Sequence, residues 1–394
     1  MKTFQYTNPV EIHFNTPFEK ALESLKDDSI LLVTSKGFTQ RGLTKKIQDK
    51  LQGRLSFVVD SILPNPELAF LQDLKSNLKN NYVSILALGG GSVIDSAKFL
   101  SVQGEISINH KNLEIQKSTY FIPIYAIPTT AGTSSELTSW ATIWDSDNGI
   151  KYSLQAKELY PKVAFYDSSL MLSLPLEITI NTALDALSHA IESIWNKNAN
   201  PISTALSLNT ISLITEYLFP LTQNLNDLEL REKITLASIY AGLAFSNTQT
   251  ALAHAISYPL SMDFNIPHGL ACSFSLPTLL ACLHDSEVKE ILLPFEKKIN
   301  HLYNQLGISL LPQDYGLNAD RIHHIFMNLN ERAKNGLFCL EEVEEIFISL
   351  LQGESMQAVI LAAGMGSRID GKIDGFKDKP KGFLEPSGGG GQKI

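Results

Sequence analysis

The chain has 394 residues, a formal net charge of −9 at pH 7, 44% hydrophobic and 19% charged residues. That is the balance of ordinary globular domains, long enough for two or three of them. It offers no broad basic face, so nucleic acid and anionic membrane surfaces are not expected partners, and a small molecule is. Cys272, Cys282 and Cys339 make an odd count of three with no CxxC pair. The expectation is no disulfide framework, three buried packing residues and a reducing cytoplasm. The opening residues from Met1 lack the apolar core of a signal peptide, and no apolar run reaches the ~20 residues of a membrane span.

Residues 1–168 alternate apolar, β-branched runs with polar helical runs. Residues 29–34, 55–59 and 82–88 read as strands, and residues 39–52 and 68–79 as helices. Alternating strands and helices predict a parallel sheet covered on both faces. The third strand runs directly into Gly89-Gly90-Gly91-Ser92, after which Val93 to Lys98 opens a helix. Glycines without Cβ let backbone N–H groups approach a phosphate, and the helix start adds partial positive charge. A plain tight turn is the competing reading. A second apolar strand, residues 121–127, leads into Thr129-Thr130-Ala131-Gly132-Thr133-Ser134-Ser135-Glu136, with five hydroxyls in eight residues. Such a loop can bind ribose and amide groups, or can simply cap a helix through Thr133 or Ser135. Two such loops in one α/β half favour a dinucleotide. Where an acidic residue commonly holds the adenosine ribose, this chain reads Ser35-Lys36. NADH and NADPH therefore both stay open, because Lys36 suits a 2′-phosphate.

From Ser169 the pattern turns helical. Helices are expected over residues 179–195, 203–218, 228–246, 251–260, 319–333 and 340–351, with Pro259 ending or kinking the fourth. Asp185 and His189 are four apart and share one helix face. With His254 and His268 they form a nitrogen and oxygen set suited to Fe²⁺ or Zn²⁺. Each histidine taken alone would pass for an ordinary packed or surface residue.

The segments Gly89 to Asp95, Pro128 to Glu136, Asp185-Ala-Leu-Ser-His189, His254 and Pro267-His268-Gly269 together resemble the iron-containing (group III) alcohol dehydrogenases over roughly residues 1–350. The resemblance implies a Rossmann-like α/β domain (1–168) followed by an all-α domain (169–351), the plan shared with dehydroquinate synthase-like enzymes. It implies Asp185, His189, His254 and His268 as metal ligands. Asn65, Gly89, Gly90, Gly91, Ser92, Asp95, Thr129, Thr130, Thr133 and Lys151 would line the cofactor, with Ser35 at the adenosine end. It also implies a homodimer. The sequence departs from the family pattern at Tyr258, where many members carry a histidine credited with proton handling; Tyr258 is the candidate proton donor in its place. Within the family, Glu136 to Asp145, Lys151-Tyr-Ser and Asp185 to Asn196 are most similar to phosphonoacetaldehyde reductases. That similarity predicts NAD(P)H-dependent reduction of phosphonoacetaldehyde to 2-hydroxyethylphosphonate. A general small-aldehyde dehydrogenase and a dehydroquinate synthase-like lyase are the alternatives.

Residues 356–394 contain Leu361-Ala-Ala-Gly-Met-Gly-Ser-Arg368 and Lys379-Pro-Lys381, which resemble the start of a nucleotidyltransferase. These 39 residues are too few for an independent core, so a truncated fragment without transferase activity is expected.

Overall fold

The computed structural model describes residues 3–78, 82–110, 112–117 and 119–352. The nucleotidyltransferase-like segment lies outside the described residues. The described residues divide into two compact units, one drawn from residues 1–194 and 198–249 and the other from residues 195–197 and 250–352. Three long helices after Ser169 belong to the first unit.

In the first unit the chain runs β1 (Glu11–Phe14), α1 (Phe18–Ser24), β2 (Ile30–Val33), α2 (Lys36–Gln40), α3 (Leu43–Leu51), β3 (Leu55–Val59), α4 (Leu68–Asn77), β4 (Ser84–Gly89) and α5 (Gly91–Ser101). It continues through β5 (Ile106–Asn109), β6 (Asn112–Ile115), β7 (Ile124–Pro128), β8 (Trp140–Asp145), β9 (Ile150–Gln155) and β10 (Val163–Tyr166). Six strands form one sheet in the order β1-β10-β7-β4-β2-β3, every neighbouring pair parallel. Successive residues of the central strands feed opposite faces. Leu31, Val33, Ile85 and Ala87 join one core cluster, while Ile30, Leu32, Leu86 and Leu88 join the other. That two-sided burial explains why these strands are continuous apolar runs rather than alternating ones.

The order reverses between β2 and β4. From β2 the chain moves outward to β3, and from β4 it moves the other way to β7 and β10. In open parallel sheets, ligands bind at the carboxyl ends of strands flanking such a reversal. Both glycine- and hydroxyl-rich loops leave from that edge, since Gly89 pairs with Pro128 in register. A second, four-stranded sheet, β5-β6-β9-β8, was not foreseen from the sequence. It is mixed and short-stranded, so its apolar pattern is weak. Its Trp144 donates its backbone N–H to Pro66 O at 2.9 Å, fixing this sheet beside the Asn65 turn.

Helices α6 (Leu176–Ile194), α7 (Pro201–Gln223) and α8 (Leu228–Thr248) complete the unit. The start of α7 has Pro201 in its first turn and a capping box, with Asn200 Oδ1 accepting from Ile202 and Ser203 N–H at 3.1 Å each. The buried Arg231 of α8 donates to Thr179 Oγ1 at 2.7 Å and to Leu174 O at 3.3 Å, which ties down the beginning of α6.

The second unit carries α9 (Leu252–Phe264), α10 (His268–Ser273), α11 (Leu276–Ala281), α12 (Ser286–Leu306), α13 (Ala319–Met327) and α14 (Leu340–Leu351). Its core centres on Phe274, whose ring meets Tyr315 at 4.4 Å and Phe347 edge-on at 6.2 Å. The buried Tyr303 hydroxyl donates to Ser273 O at 2.7 Å and so holds the end of α10. Of the two outcomes expected at Pro259, an end or a kink, the helix does not end: α9 continues to Phe264, where Asn265 closes it in a left-handed conformation, φ 54°. Proline removes one donor to the preceding turn, and the remaining helix bonds carry the chain past it. Helix α12 was missed from sequence; it accommodates Pro294 in the same way.

Candidate active site

The first unit brings the two sequence-defined loops into direct contact. Thr129 N–H donates to Gly89 O at 3.1 Å. A Cβ built on Gly90 would lie 3.0 Å from Thr130 Oγ1, and one on Gly91 would lie 2.7 Å from Thr133 Oγ1. Only glycine allows the threonines to sit this close to the start of α5. Gly90 is the N-cap of that helix and makes no side-chain cap to the N–H groups of its first turn. These donors, together with Thr130 and Thr133, are suited to a diphosphate and its neighbours. Asn65 joins them: it has φ 55°, and its N–H donates to Ser92 Oγ at 3.2 Å. Ser35 follows β2 on the other side of the sheet reversal and is the N-cap of α2, with Lys36 exposed beside it. The ends of β2 and β4 are joined by Thr34 Oγ1 donating to Leu88 O at 2.8 Å. Lys151, on β9, reaches over the Trp144 ring with its Nζ 5.4 Å from the centroid.

Asp95 takes a different place from the mouth of this crevice. It is directed inward, where Oδ1 accepts from Ser135 Oγ and Oδ2 from Thr142 N–H at 2.9 Å. Beside it, Lys98 is fully buried and donates to Ser135 O at 2.6 Å, Thr138 Oγ1 at 3.0 Å and Trp140 O at 2.7 Å. Glu136 is buried too and accepts from Tyr166 OH at 2.9 Å. Burial raises the pKa of Asp95 and Glu136, and burial lowers that of Lys98 to about 8 against the opposing pull of the two carboxylates. The network fastens the hydroxyl-rich loop to α5, with Asp95 holding it through Ser135. Lys98, Glu136 and Tyr166 were given no part in the site from sequence, because nothing local announces their burial together.

The same loop presses on α6. A Cβ on Gly132 would fall 2.2 Å from the backbone O of Thr182, one turn before Asp185. Asp185 and His189 are both buried on α6, with Oδ1 and Nε2 3.7 Å apart. The His189 ring lies parallel to Phe245 of α8, centroids 3.8 Å apart, and Phe245 in turn meets Trp140 edge-on at 5.6 Å. The imidazole is thereby fixed in plane, and no sequence pattern marked Phe245 for this.

In the second unit His254 is buried on the first turn of α9, and His268 begins α10 with its ring 5.5 Å from that of His254. The donor atoms of His254, His268 and Cys272 lie within 4.8 Å of one another. That spacing fits one divalent ion, because ligands about 2.0–2.3 Å from a tetrahedral centre stand roughly 3.5 Å apart. The buried His254 and half-buried His268 are nitrogen donors of the kind that iron or zinc takes. Tyr258, half-buried one turn beyond His254, holds its ring parallel to that of His268 at 6.3 Å. The expectation of three buried cysteines needs one correction: Cys272 and Cys282 are buried, but Cys339 is exposed at the N-cap of α14. A residue just outside a helix has no apolar face to join.

Two family models cover most of the chain. The model for iron-containing alcohol dehydrogenases matches residues 10–168, and that for the C-terminal region of the Fe-containing alcohol dehydrogenase family matches residues 179–313. Alcohol dehydrogenase 4 of Saccharomyces cerevisiae (strain YJM789) is 32% identical over 282 residues, 69% of this chain and 73% of its own. The chain belongs to the iron-containing alcohol dehydrogenase family. Members of this family oxidise alcohols or reduce aldehydes with NAD(P) and iron, and this chain is accordingly an alcohol/aldehyde oxidoreductase. The NADPH-dependent butanol dehydrogenase of Clostridium saccharobutylicum is 30% identical over 289 residues, 70% of this chain and 73% of its own. The crystal structure of sulfoacetaldehyde reductase from Bifidobacterium kashiwanohense in complex with NAD⁺ superposes with a TM-score of 0.81, at 26% identity, over 90% of this chain and 100% of that one. Among the described residues, no helix of this iron-containing alcohol dehydrogenase is long and apolar enough to cross a membrane.

Proposed function

We propose that the protein reduces phosphonoacetaldehyde to 2-hydroxyethylphosphonate with NADH or NADPH. The observation that carries this is the likeness to sulfoacetaldehyde reductase, whose substrate is named as a two-carbon aldehyde bearing a sulfonate. A phosphonate is the nearest tetrahedral anion to that group. The similarity of Glu136 to Asp145 and Asp185 to Asn196 to phosphonoacetaldehyde reductases points the same way. In this reading Asp185, His189, His254 and His268 hold the metal. Ser35, Asn65, Gly89, Gly90, Gly91, Ser92, Thr129, Thr130, Thr133 and Lys151 receive the dinucleotide, and Asp95 keeps their loop in place. The bound ion supplies Lewis-acid polarisation of the carbonyl, and the nicotinamide supplies the hydride. The residues of the chain orient the two reactants and exclude water. The Tyr258 phenol then gives its proton to the nascent alcohol oxygen. The family resemblance supports a homodimer, and an odd count of three cysteines with no CxxC pair supports a reducing, cytoplasmic setting.

The deciding experiment is a substrate panel on metal-reconstituted protein with both cofactors. A kcat/KM for phosphonoacetaldehyde well above those for acetaldehyde, butanal and sulfoacetaldehyde is the expected result. Equal constants for acetaldehyde and phosphonoacetaldehyde would leave the general small-aldehyde dehydrogenase as the better description. Net NAD(P)H consumption excludes a dehydroquinate synthase-like lyase.

A further inference from the structure

We infer that the Cys272 thiolate is a further ligand of the metal, giving the site a sulfur donor beside its imidazoles. The inference rests on the metal-site reading above and adds a residue to it. Cys272 stands four residues after His268 on α10, so the two side chains leave the same face of that helix. Its Sγ lies within 4.8 Å of the donor atoms of both His254 and His268. A thiol there as simple packing would have apolar neighbours; this one is buried beside two imidazoles. On its own helix the thiol donates to Gly269 O at 3.4 Å, a weak contact that metal ligation would replace. The other buried cysteine makes the contrast. Cys282 sits where burial pushes its thiol up to about 12, which keeps it protonated and inert.

As the sulfur–metal bond forms, the thiol proton leaves to solvent. A thiolate is a soft donor that favours zinc over harder ions. The site would therefore bind zinc more tightly, relative to iron, than one built from oxygen and nitrogen alone.

The test uses the full chain loaded with zinc or cobalt. X-ray absorption at the zinc edge should require a zinc–sulfur shell near ~2.3 Å beside the ~2.0–2.1 Å nitrogen and oxygen shell. The cobalt form should show a near-ultraviolet sulfur-to-cobalt charge-transfer band. Cys272→Ser should lose that band while keeping the visible ligand-field bands. A metal-loaded wild type with only nitrogen and oxygen neighbours overturns the inference and leaves the metal site standing, as does a band that survives in Cys272→Ser. Failure of the wild type to bind either ion overturns both. The wild-type spectra decide the matter even if the variant does not fold.

Discussion

Gly132→Ala is the substitution that most sharply probes how the hydroxyl-rich loop and α6 are joined. The added Cβ would fall 2.2 Å from Thr182 O, a backbone atom inside α6 that no rotamer change can move. The contact must open by roughly 1 Å, an overpacking cost of about 1–3 kcal/mol. For a protein of this size that is a drop in melting temperature of roughly 1–4 °C. The displacement has two directions open to it. Either Thr130 and Thr133 lift from the glycine turn, or α6 shifts and carries Asp185 with it. Either way, misplacement on the 1 Å scale lowers kcat/KM by roughly 10²-fold. Thermal unfolding and steady-state kinetics on Gly132→Ala measure both effects. Gly37→Ala serves as the stability control, since its nearest neighbour, Ser35 Oγ, would be at an ordinary 4.0 Å. Gly132→Ala with wild-type stability and kinetics would refute the packing argument.

Lys98→Met leaves the Asp95 and Glu136 carboxylates buried without their cation, and should destabilise the fold by about 3–5 kcal/mol in urea. The pH dependence has a definite sign. With the Lys98 pKa lowered to about 8 from 10.5, the unfolded chain binds more protons between those values, so this residue's contribution to stability rises with pH there. Wild type should gain about 1 kcal/mol more than Lys98→Met between pH 8 and 9, and an equal or opposite trend would contradict the assignment. Phe245→Ala frees the His189 ring, and metal titration should show affinity lower by roughly 10–100-fold with the ligand set unchanged. Ser35→Asp should shift the ratio of kcat/KM toward NADH and away from NADPH, because a carboxylate accepts from a ribose hydroxyl and repels a 2′-phosphate; an unchanged ratio would place the adenosine elsewhere. Tyr258→Phe should lower kcat and remove a proton-transfer limb from the pH profile, whereas an unaltered profile would give the proton another source.

The sequence showed the parallel sheet and both loops because their signals are local. Buried strands are apolar runs, and a strand running into Gly89-Gly90-Gly91 announces its own turn. Asp185 and His189 were equally legible, being one helical turn apart. The mixed sheet around Trp144 and Lys151 was not, because its strands are short and paired across long intervals. The reach of the first unit to Gln249 was also hidden, since α6, α7 and α8 carry the same helical periodicity as the helices beyond them. The burial of Lys98 and Glu136 was hidden for a different reason. Their burial depends on each other and on Tyr166, and composition alone assigns such residues to solvent. Cys272 was read as packing because its neighbours His254 and His268 become neighbours only when α9 and α10 fold together.

The central claim is metal-dependent reduction built on Asp185, His189, His254 and His268. It is tested most directly by metal content and aldehyde-dependent NAD(P)H oxidation measured together on iron-reconstituted wild type and Asp185→Ala. The account predicts close to one ion per chain and turnover in the wild type, with both lost in a folded Asp185→Ala. A variant that keeps wild-type metal content and activity would contradict it.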